Sequence, residues 1–177
     1  MNEHTRIGTA ELIAQRFADF TDGLKGVDIP TSARERSRHL ILDAVGIALA
    51  STQYDFAHRT LSALREFGTG EGDVIGQPSV RLPLRDAVMM NGFLIHGLDY
   101  DDTHTAGVIH ATASCFPTAL GMAAEEGASG YDLLTAYVAG MEVATRLGAV
   151  AKGGFHQVGF HPTGLIGAFG CALVAGK

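Results

Sequence analysis

Residues 129–150 read SGYDLLTAYVAGMEVATRLGAV, and this stretch decides the fold that the sequence predicts. Ser129, with Asp132 three residues further on, is the pattern of a capped helix start, so a long helix is expected to follow. Glu142 and Arg146 lie four residues apart, in the order that favours an ion pair on an exposed helix face. A membrane-spanning helix needs about 20 apolar residues with few or no charges. The charged side chains therefore indicate a core helix and no membrane partner.

Helical periodicity recurs on both sides of this stretch and predicts an all-α protein. Ser32 and Glu35 repeat the capping pattern, and only residues 73–76 suggest a short extended piece. Pro117 is expected near the start of its helix, in the first turn, where proline is tolerated. The predicted helices cover residues 9–20, 32–50, 56–67, 84–98, 112–126, 131–150 and 163–177.

Composition narrows the class of protein. The chain has 177 residues, of which 46% are hydrophobic and 18% charged, which is enough for one buried core in a single domain. There are 13 Lys and Arg against 19 Asp and Glu, and the basic residues form no cluster, so no nucleic-acid partner is expected. The N-terminus lacks the pattern of a secretory signal, and Cys115 and Cys171 form no CxxC pair. Both features predict a cytoplasmic protein with reduced thiols.

The last predicted helix is unusually apolar. Residues 163–177, TGLIGAFGCALVAGK, are apolar nearly all round. Such a helix must be covered on several faces. We therefore expect the chain to be the first part of a longer protein, and the alternative is a short form that a dimer partner completes.

Ionisable side chains concentrate in two short segments beside predicted helices. Residues 96–110, HGLDYDDTHTAGVIH, carry three histidines and three aspartates, and residues 153–164, GGFHQVGFHPTG, add His156 and His161. Carboxylates this close repel one another and tend to raise each other's pKa values. A single aspartate can serve as a helix cap, but the whole cluster indicates a functional site.

Two kinds of chemistry fit these residues. Histidine and carboxylate ligands at close spacing suit zinc, iron or manganese. Alternatively, His110 and His161 act without metal as acid, base or hydrogen-bond donor beside an anionic substrate, because the imidazole pKa lies near neutrality. The chain has no HExxH or comparable ligand motif, and spacing alone leaves both possibilities open.

Several motifs together resemble the MmgE/PrpD family. An Asp-aromatic-Asp-Asp-Thr-His string followed at a distance by GFHPT is specific to it. The resemblance runs from about Ile7 to the end of the chain. The similar segments are Leu42–Gly46, Asn91-Gly92, His96–His104, His110, Ser129-Gly130, Gly140–Val143 ahead of Arg146, and Gly159–Thr163 followed by Gly167.

That resemblance implies a fold and a reaction. Family members are much longer, pair a large all-helical domain with a smaller α+β lid domain, and usually dimerise. Residues 1–177 would then be the N-terminal part of the helical domain, with the lid domain absent from this chain. The family's site lies between the two domains, uses no metal and no organic cofactor, and removes water or carbon dioxide from small di- and tricarboxylates. The resemblance thus implies a lyase with a carboxylate substrate, a homodimer, and an isolated chain that is inactive.

Site residues follow from the same resemblance, position by position. Asp99 and Thr103 match the family's acidic active-site loop, and His110 and His161 match its two active-site histidines. The resemblance therefore implies catalytic roles for His110, His161 and Asp99, with Asp99 expected to orient a histidine or fix the loop. Thr103 and its neighbour His104 are the expected substrate-binding residues.

Two other functions stay open on the residues alone. One is a metal-dependent hydrolase that uses the His/Asp clusters as ligands. The other is a non-enzymatic helical scaffold or dimerisation module whose polar residues cap helices. The chain also departs from the family pattern at Ala111, where proline commonly follows the first histidine.

Overall fold

Helices make up almost all of the regular structure in residues 12–177, the part of the chain that the computed structural model describes. This confirms the predicted all-α fold class. Two short strands, β1 Gly72–Asp73 and β2 Arg81–Leu82, pair antiparallel, and a 3-10 turn covers Gly26–Asp28. The helices are α1 Ile13–Gly23, α2 Thr31–Ser51, α3 Asp55–Arg65, α4 Leu84–His96, α5 Thr112–Glu126, α6 Gly130–Val150, α7 Gly154–Gln157 and α8 Pro162–Gly176.

Some predicted helix ends differ from the observed ones. The predicted start at residue 9 lies outside the described residues, and α1 begins at Ile13. The cap predicted at Ser32 is wrong. Helix α2 begins at Thr31, one residue before Ser32, and Pro30, with φ −54° and ψ 143°, occupies the N-cap position. Helix α7 was not predicted. It follows Lys152 and Gly153, whose positive φ values of 48° and 84° end α6 and redirect the chain.

Pro117 lies deeper in its helix than predicted. Helix α5 begins at Thr112, so the proline falls beyond the first turn. A proline has no N–H to donate to the carbonyl four residues earlier, here Ala113. That carbonyl faces Gly92 of α4, where an added Cβ would lie only 2.8 Å from the Ala113 oxygen. The close approach of α4 and α5 thus depends on a glycine.

Helix α6 is the core helix that the sequence of residues 129–150 predicts. The Asp132 N–H donates to Ser129 Oγ and the Ser129 N–H donates to Asp132 Oδ2, each over 3.2 Å, which confirms the capped start. Arg146 Nε donates to Glu142 Oε1 over 2.6 Å, which confirms the ion pair. By length and composition alone α6 could cross a membrane, but it packs against α5 and α8 as a core helix does.

Helix α8 packs against its neighbours through small residues. An added Cβ on Gly170 would lie 2.9 Å from Cys115 Sγ and 3.3 Å from Ala144 Cβ. On the other side of α8, Leu165 and Phe169 remain 39% and 55% exposed. Within the described residues, the apolar helix is therefore covered on one side only.

Candidate active site

The acidic loop, residues 97–111, connects α4 to α5 and carries most of the candidate residues. Helix α4 ends at His96, and the Asp99 N–H donates to the His96 carbonyl over 2.8 Å. This turn places Asp99 at φ 51°, a left-handed conformation that aspartate tolerates better than most residues. The side chain of Asp99 is 83% exposed, so its carboxylate is open to a ligand.

A tight turn in the second half of the acidic loop fixes the approach to His110. The His104 N–H donates to the Ile109 carbonyl over 2.9 Å, and the Gly107 N–H donates to His104 Nδ1 over 3.1 Å. Gly107 packs on Gly148 of α6, because an added Cβ would lie 3.2 Å from that residue's backbone. The predicted substrate-binding residue His104 thus uses Nδ1 as an acceptor within the turn, and its predicted role stays a prediction.

Helix α8 holds the end of the acidic loop. The backbone N–H of His110 donates to Oγ1 of buried Thr163 over 3.0 Å. Thr163 follows Pro162, whose ring fixes the first residue of α8 in a helical conformation. The position of His110 is therefore tied directly to the segment that carries His161.

Asp101 lies between two histidines at the centre of the site. Its side chain is 1% exposed, and its Oδ1 and Oδ2 lie 3.1 Å and 3.2 Å from His96 Nδ1. His110 Nδ1 lies 3.4 Å from the same Oδ1. The two imidazole centroids are 4.9 Å apart. We call His96, Asp101 and His110 the Asp101 cluster.

Two predicted loop residues lie beside the Asp101 cluster. Asp99 Oδ1 is 4.0 Å from His110 Nε2, and Thr103 Oγ1 is 3.5 Å from His110 Nδ1. The imidazole of His110 therefore has carboxylates at both nitrogens, a buried one at Nδ1 and an exposed one at Nε2.

The second histidine segment reaches the same surface. The His161 ring centroid lies 5.9 Å from that of His96, and the His156 centroid lies 6.2 Å from that of His161. The structure thus brings the predicted residues Asp99, Thr103, His110 and His161 together, and their chemical roles stay predictions.

Burial and charge shift two pKa values at the site. The hydrogen bond to Asp101 raises the pKa of His96, and the negative charges of Asp101 and Asp99 act in the same direction, whereas partial burial opposes them. Burial raises the pKa of Asp102, while hydrogen bonding to Thr112 lowers it in part. Asp102 Oδ1 is buried and makes no hydrogen bond to any described residue. The loop thus holds its three carboxylates in three different environments.

The same side chains raise the question of a metal ion. One donor atom each from His96, Asp99, Asp101 and His110 lies within 4.8 Å of the other three. However, His110 turns Nδ1 to Asp101 and Nε2 to Asp99, and the two nitrogens of one ring point away from each other. A metal ion held here would therefore use one nitrogen of His110, either Nδ1 beside Asp101 or Nε2 beside Asp99.

Sequence reasoning missed the centre of the site. It assigned no role to Asp101 or His96, although both belong to the acidic motif. The sequence did offer a signal for this pair, because the two residues lie on either side of a helix end. A chain reversal at that end brings their side chains together. Three aspartates within four positions look alike in sequence, and only the packed loop shows which one is buried.

Fold and site together define an all-helical protein with a histidine–aspartate site on the loop between two core helices. The chain belongs to the MmgE/PrpD family, because residues 15–177 match the MmgE/PrpD N-terminal domain. This confirms the resemblance found in the sequence.

Curated relatives match the same region. The chain is 34% identical over 172 residues to the cis-aconitate decarboxylase of Homo sapiens, a match that covers 93% of this chain and 35% of the relative. It is 29% identical to the cis-aconitate decarboxylase of Mus musculus and 27% identical to that of Aspergillus terreus, with the same coverage of both chains. The chain thus spans about a third of the length of these relatives.

Proposed function

We propose that the chain is the N-terminal, helical part of a lyase that removes carbon dioxide or water from a small di- or tricarboxylate, without metal or organic cofactor. The observation that carries the proposal is that Asp99, His110 and His161, from two separate segments, surround one surface. The name cis-aconitate decarboxylase, borne by the relatives, makes decarboxylation the first reaction to test.

The residues fit the demands of that chemistry. Decarboxylation breaks a carbon–carbon bond and leaves the electron pair on carbon, where a proton must then be delivered. In a dehydration, a base removes a proton beside a carboxylate and an acid protonates the departing hydroxyl. We assign the proton transfer to His110 Nε2 with His161 as the second acid or base, since imidazoles exchange protons near neutral pH. Asp99 Oδ1 lies 4.0 Å from His110 Nε2, beside the atom to which this proton transfer is assigned.

Binding of an anionic substrate needs local donors, because the chain carries a net charge of −6. The raised pKa of His96 keeps a larger fraction of that imidazole cationic at a given pH. The Thr103 hydroxyl and His104 Nε2 are the donors that we assign to the substrate carboxylates. Donors at contact distance outweigh distant surface charge, since salt screens the latter within about 8–10 Å.

A binding experiment tests the proposal. We expect cis-aconitate and citrate to shift the histidine Cε1–H resonances of the purified chain. His110→Asn and His161→Asn should each weaken binding about tenfold or more, because a hydrogen bond to a charged group contributes about 1.5–3 kcal/mol. His58→Asn, at an exposed position on α3, is the matched control and should leave affinity unchanged. Failure of both acids to bind, or equal affinity in all three variants, would contradict the proposal.

We also propose, as a first point, that the chain binds substrate without converting it to product. A second point is that the protein is a cytoplasmic homodimer. It spans about 35% of the relatives' length, and Asp99 and His161 are open to solvent, so further residues are expected to complete the site. Release of carbon dioxide from cis-aconitate by the 177-residue chain would contradict the first point. A monomer by sedimentation equilibrium at micromolar concentration would contradict the dimer.

Two competing functions make different predictions. A metal-dependent hydrolase, favoured by the four close donors, requires stoichiometric zinc, iron or manganese in the purified protein, lost on His110→Asn. A non-enzymatic module requires that substitutions of His110 and His161 change stability alone. Elemental analysis and the binding experiment together distinguish the lyase, the metal-dependent hydrolase and the non-enzymatic module.

A further inference from the structure

We infer that Asp101 is a positioning residue that fixes the tautomers of both His96 and His110, so that Nδ1 carries the proton and Nε2 is the basic atom of each neutral ring. The inference deepens the proposed lyase site and depends on that proposal only for its catalytic meaning. The tautomers themselves follow from three contacts within the Asp101 cluster.

The contact with His96 is the simpler case. Its Nδ1 lies within hydrogen-bond distance of both oxygens of Asp101, at 3.1 Å and 3.2 Å. An ionised carboxylate only accepts hydrogen bonds. A lone pair on Nδ1 would face the carboxylate lone pairs in a buried place, where their repulsion is poorly screened. The proton of neutral His96 therefore lies on Nδ1.

His110 is the deciding case, because the two carboxylates compete for its proton. Asp101 approaches Nδ1 to 3.4 Å and is 1% exposed, whereas Asp99 approaches Nε2 only to 4.0 Å and is 83% exposed. The nearer charge is also the less screened one, so both distance and local dielectric favour Nδ1–H. Thr103 Oγ1, 3.5 Å from the same nitrogen, is placed to accept as well.

This arrangement separates the roles of two neighbouring aspartates. Asp101 selects the ring atom that is available as a base. Asp99 lies beside that atom, Nε2, with its exposed carboxylate 4.0 Å away. A site with Asp99 alone would favour the opposite tautomer, with Nε2–H directed at the exposed carboxylate and Nδ1 as the base.

Nitrogen chemical shifts of the histidines test the inference directly. In the ¹⁵N-labelled 177-residue chain at pH 8.5, with His96→Gln and His110→Gln used to assign the signals, both rings should show a protonated Nδ1 and an unprotonated Nε2. Asp101→Asn should move both rings toward Nε2–H, the tautomer that free histidine prefers. It should also lower the pKa of His96, which faces Asp99, Asp101, His110 and His161. Asp101→Glu should restore Nδ1–H at least in part.

The matched control is Asp99→Asn, which removes the exposed carboxylate of the same loop and should leave both tautomers as they are. Nε2–H in either ring of the unsubstituted chain would overturn the inference, and that result does not depend on the Asp101→Asn variant. Unchanged tautomers in a folded Asp101→Asn variant would overturn it too. Nδ1–H in a chain that binds no carboxylate would instead keep this inference and reject the proposed function.

Discussion

Asp99, Asp101 and Asp102 show how strongly position within one loop changes the behaviour of the same side chain. Asp99 is exposed, and Asp101 is buried with two imidazoles against it. Asp102 is half-buried, its buried Oδ1 has no hydrogen-bond partner among the described residues, and burial raises its pKa. Losing a partner costs much more at a buried charge than at an exposed one. Stability should therefore be most sensitive at Asp101 and least sensitive at Asp99.

The raised pKa of His96 predicts a pH-dependent contribution to stability. A group whose folded pKa lies above its unfolded pKa stabilises the fold fully below the unfolded value, and this contribution is lost as pH rises through the folded value. The free energy of unfolding of the unsubstituted chain, relative to His96→Gln, should therefore be largest near pH 5.5 and fall toward pH 8.5. Urea denaturation across this range measures it. In an Asp101→Asn background this dependence of the free energy of unfolding on pH should largely vanish. A pH dependence that persists there would show that Asp101 is not its cause.

The hydrogen bond between the His110 N–H and Thr163 makes a second prediction at this scale. Thr163→Val keeps the shape of the side chain but leaves a partly buried N–H without an acceptor. We expect a loss of about 1–3 kcal/mol in the free energy of unfolding, measured by urea denaturation. Thr163→Ser keeps the hydroxyl and should lose less. Equal losses in the two variants would mean that the methyl group, and not the hydrogen bond, matters.

At the scale of helices, the contact of α8 with α5 and α6 depends on the absence of a side chain at Gly170. Gly170→Ala would place a Cβ 2.9 Å from Cys115 Sγ. Overpacking costs about 1–3 kcal/mol, which outweighs the gain of about 1 kcal/mol in helix propensity. We therefore expect a lower melting temperature. Gly164→Ala, in the same helix with nothing within 4 Å of the added Cβ, should be neutral or stabilising. A stable Gly170→Ala variant would show that the helices can separate at little cost.

The helices could largely be predicted from sequence because apolar residues recur with the helical period, and because Ser129 and Asp132 signal a helix start locally. The start of α2 and the existence of α7 could not be predicted, because they depend on the backbone conformation at Pro30 and Lys152. Motif resemblance singled out four residues that the structure brings together, Asp99, Thr103, His110 and His161. The burial of Asp101 could not be predicted, because it results from the packing of α4, α5 and α8 around the loop, which no local pattern encodes.

The molecule as a whole leaves part of its apolar surface uncovered. Leu165 and Phe169 lie one helical turn apart on α8, and Phe160 just before it is 56% exposed. Folded monomers rarely expose large continuous apolar patches, and such patches mark interaction sites. This face is where a second copy or further helices would be expected to pack.

An apolar dye tests that expectation. The double variant Leu165→Gln/Phe169→Gln should reduce dye fluorescence several-fold with no fall in melting temperature, because both side chains are exposed. Leu42→Gln, at a position 71% exposed on α2, is the control and should change fluorescence little. Unchanged dye binding in the double variant would show that the α8 face is not the accessible patch.

The bond from His110 to Thr163 spans 53 positions of the chain, and this has a consequence for the order of folding. Contacts distant in sequence form late, because the intervening loop must close first. Amides within α4 and α5 can gain protection from solvent exchange through local hydrogen bonds, whereas the His110 amide must wait for α8 to dock. In pulsed hydrogen exchange during refolding, the His110 amide should therefore be among the last to become protected. Formation of the candidate site would then mark the completion of the native state, and the intermediates that precede it would lack the site.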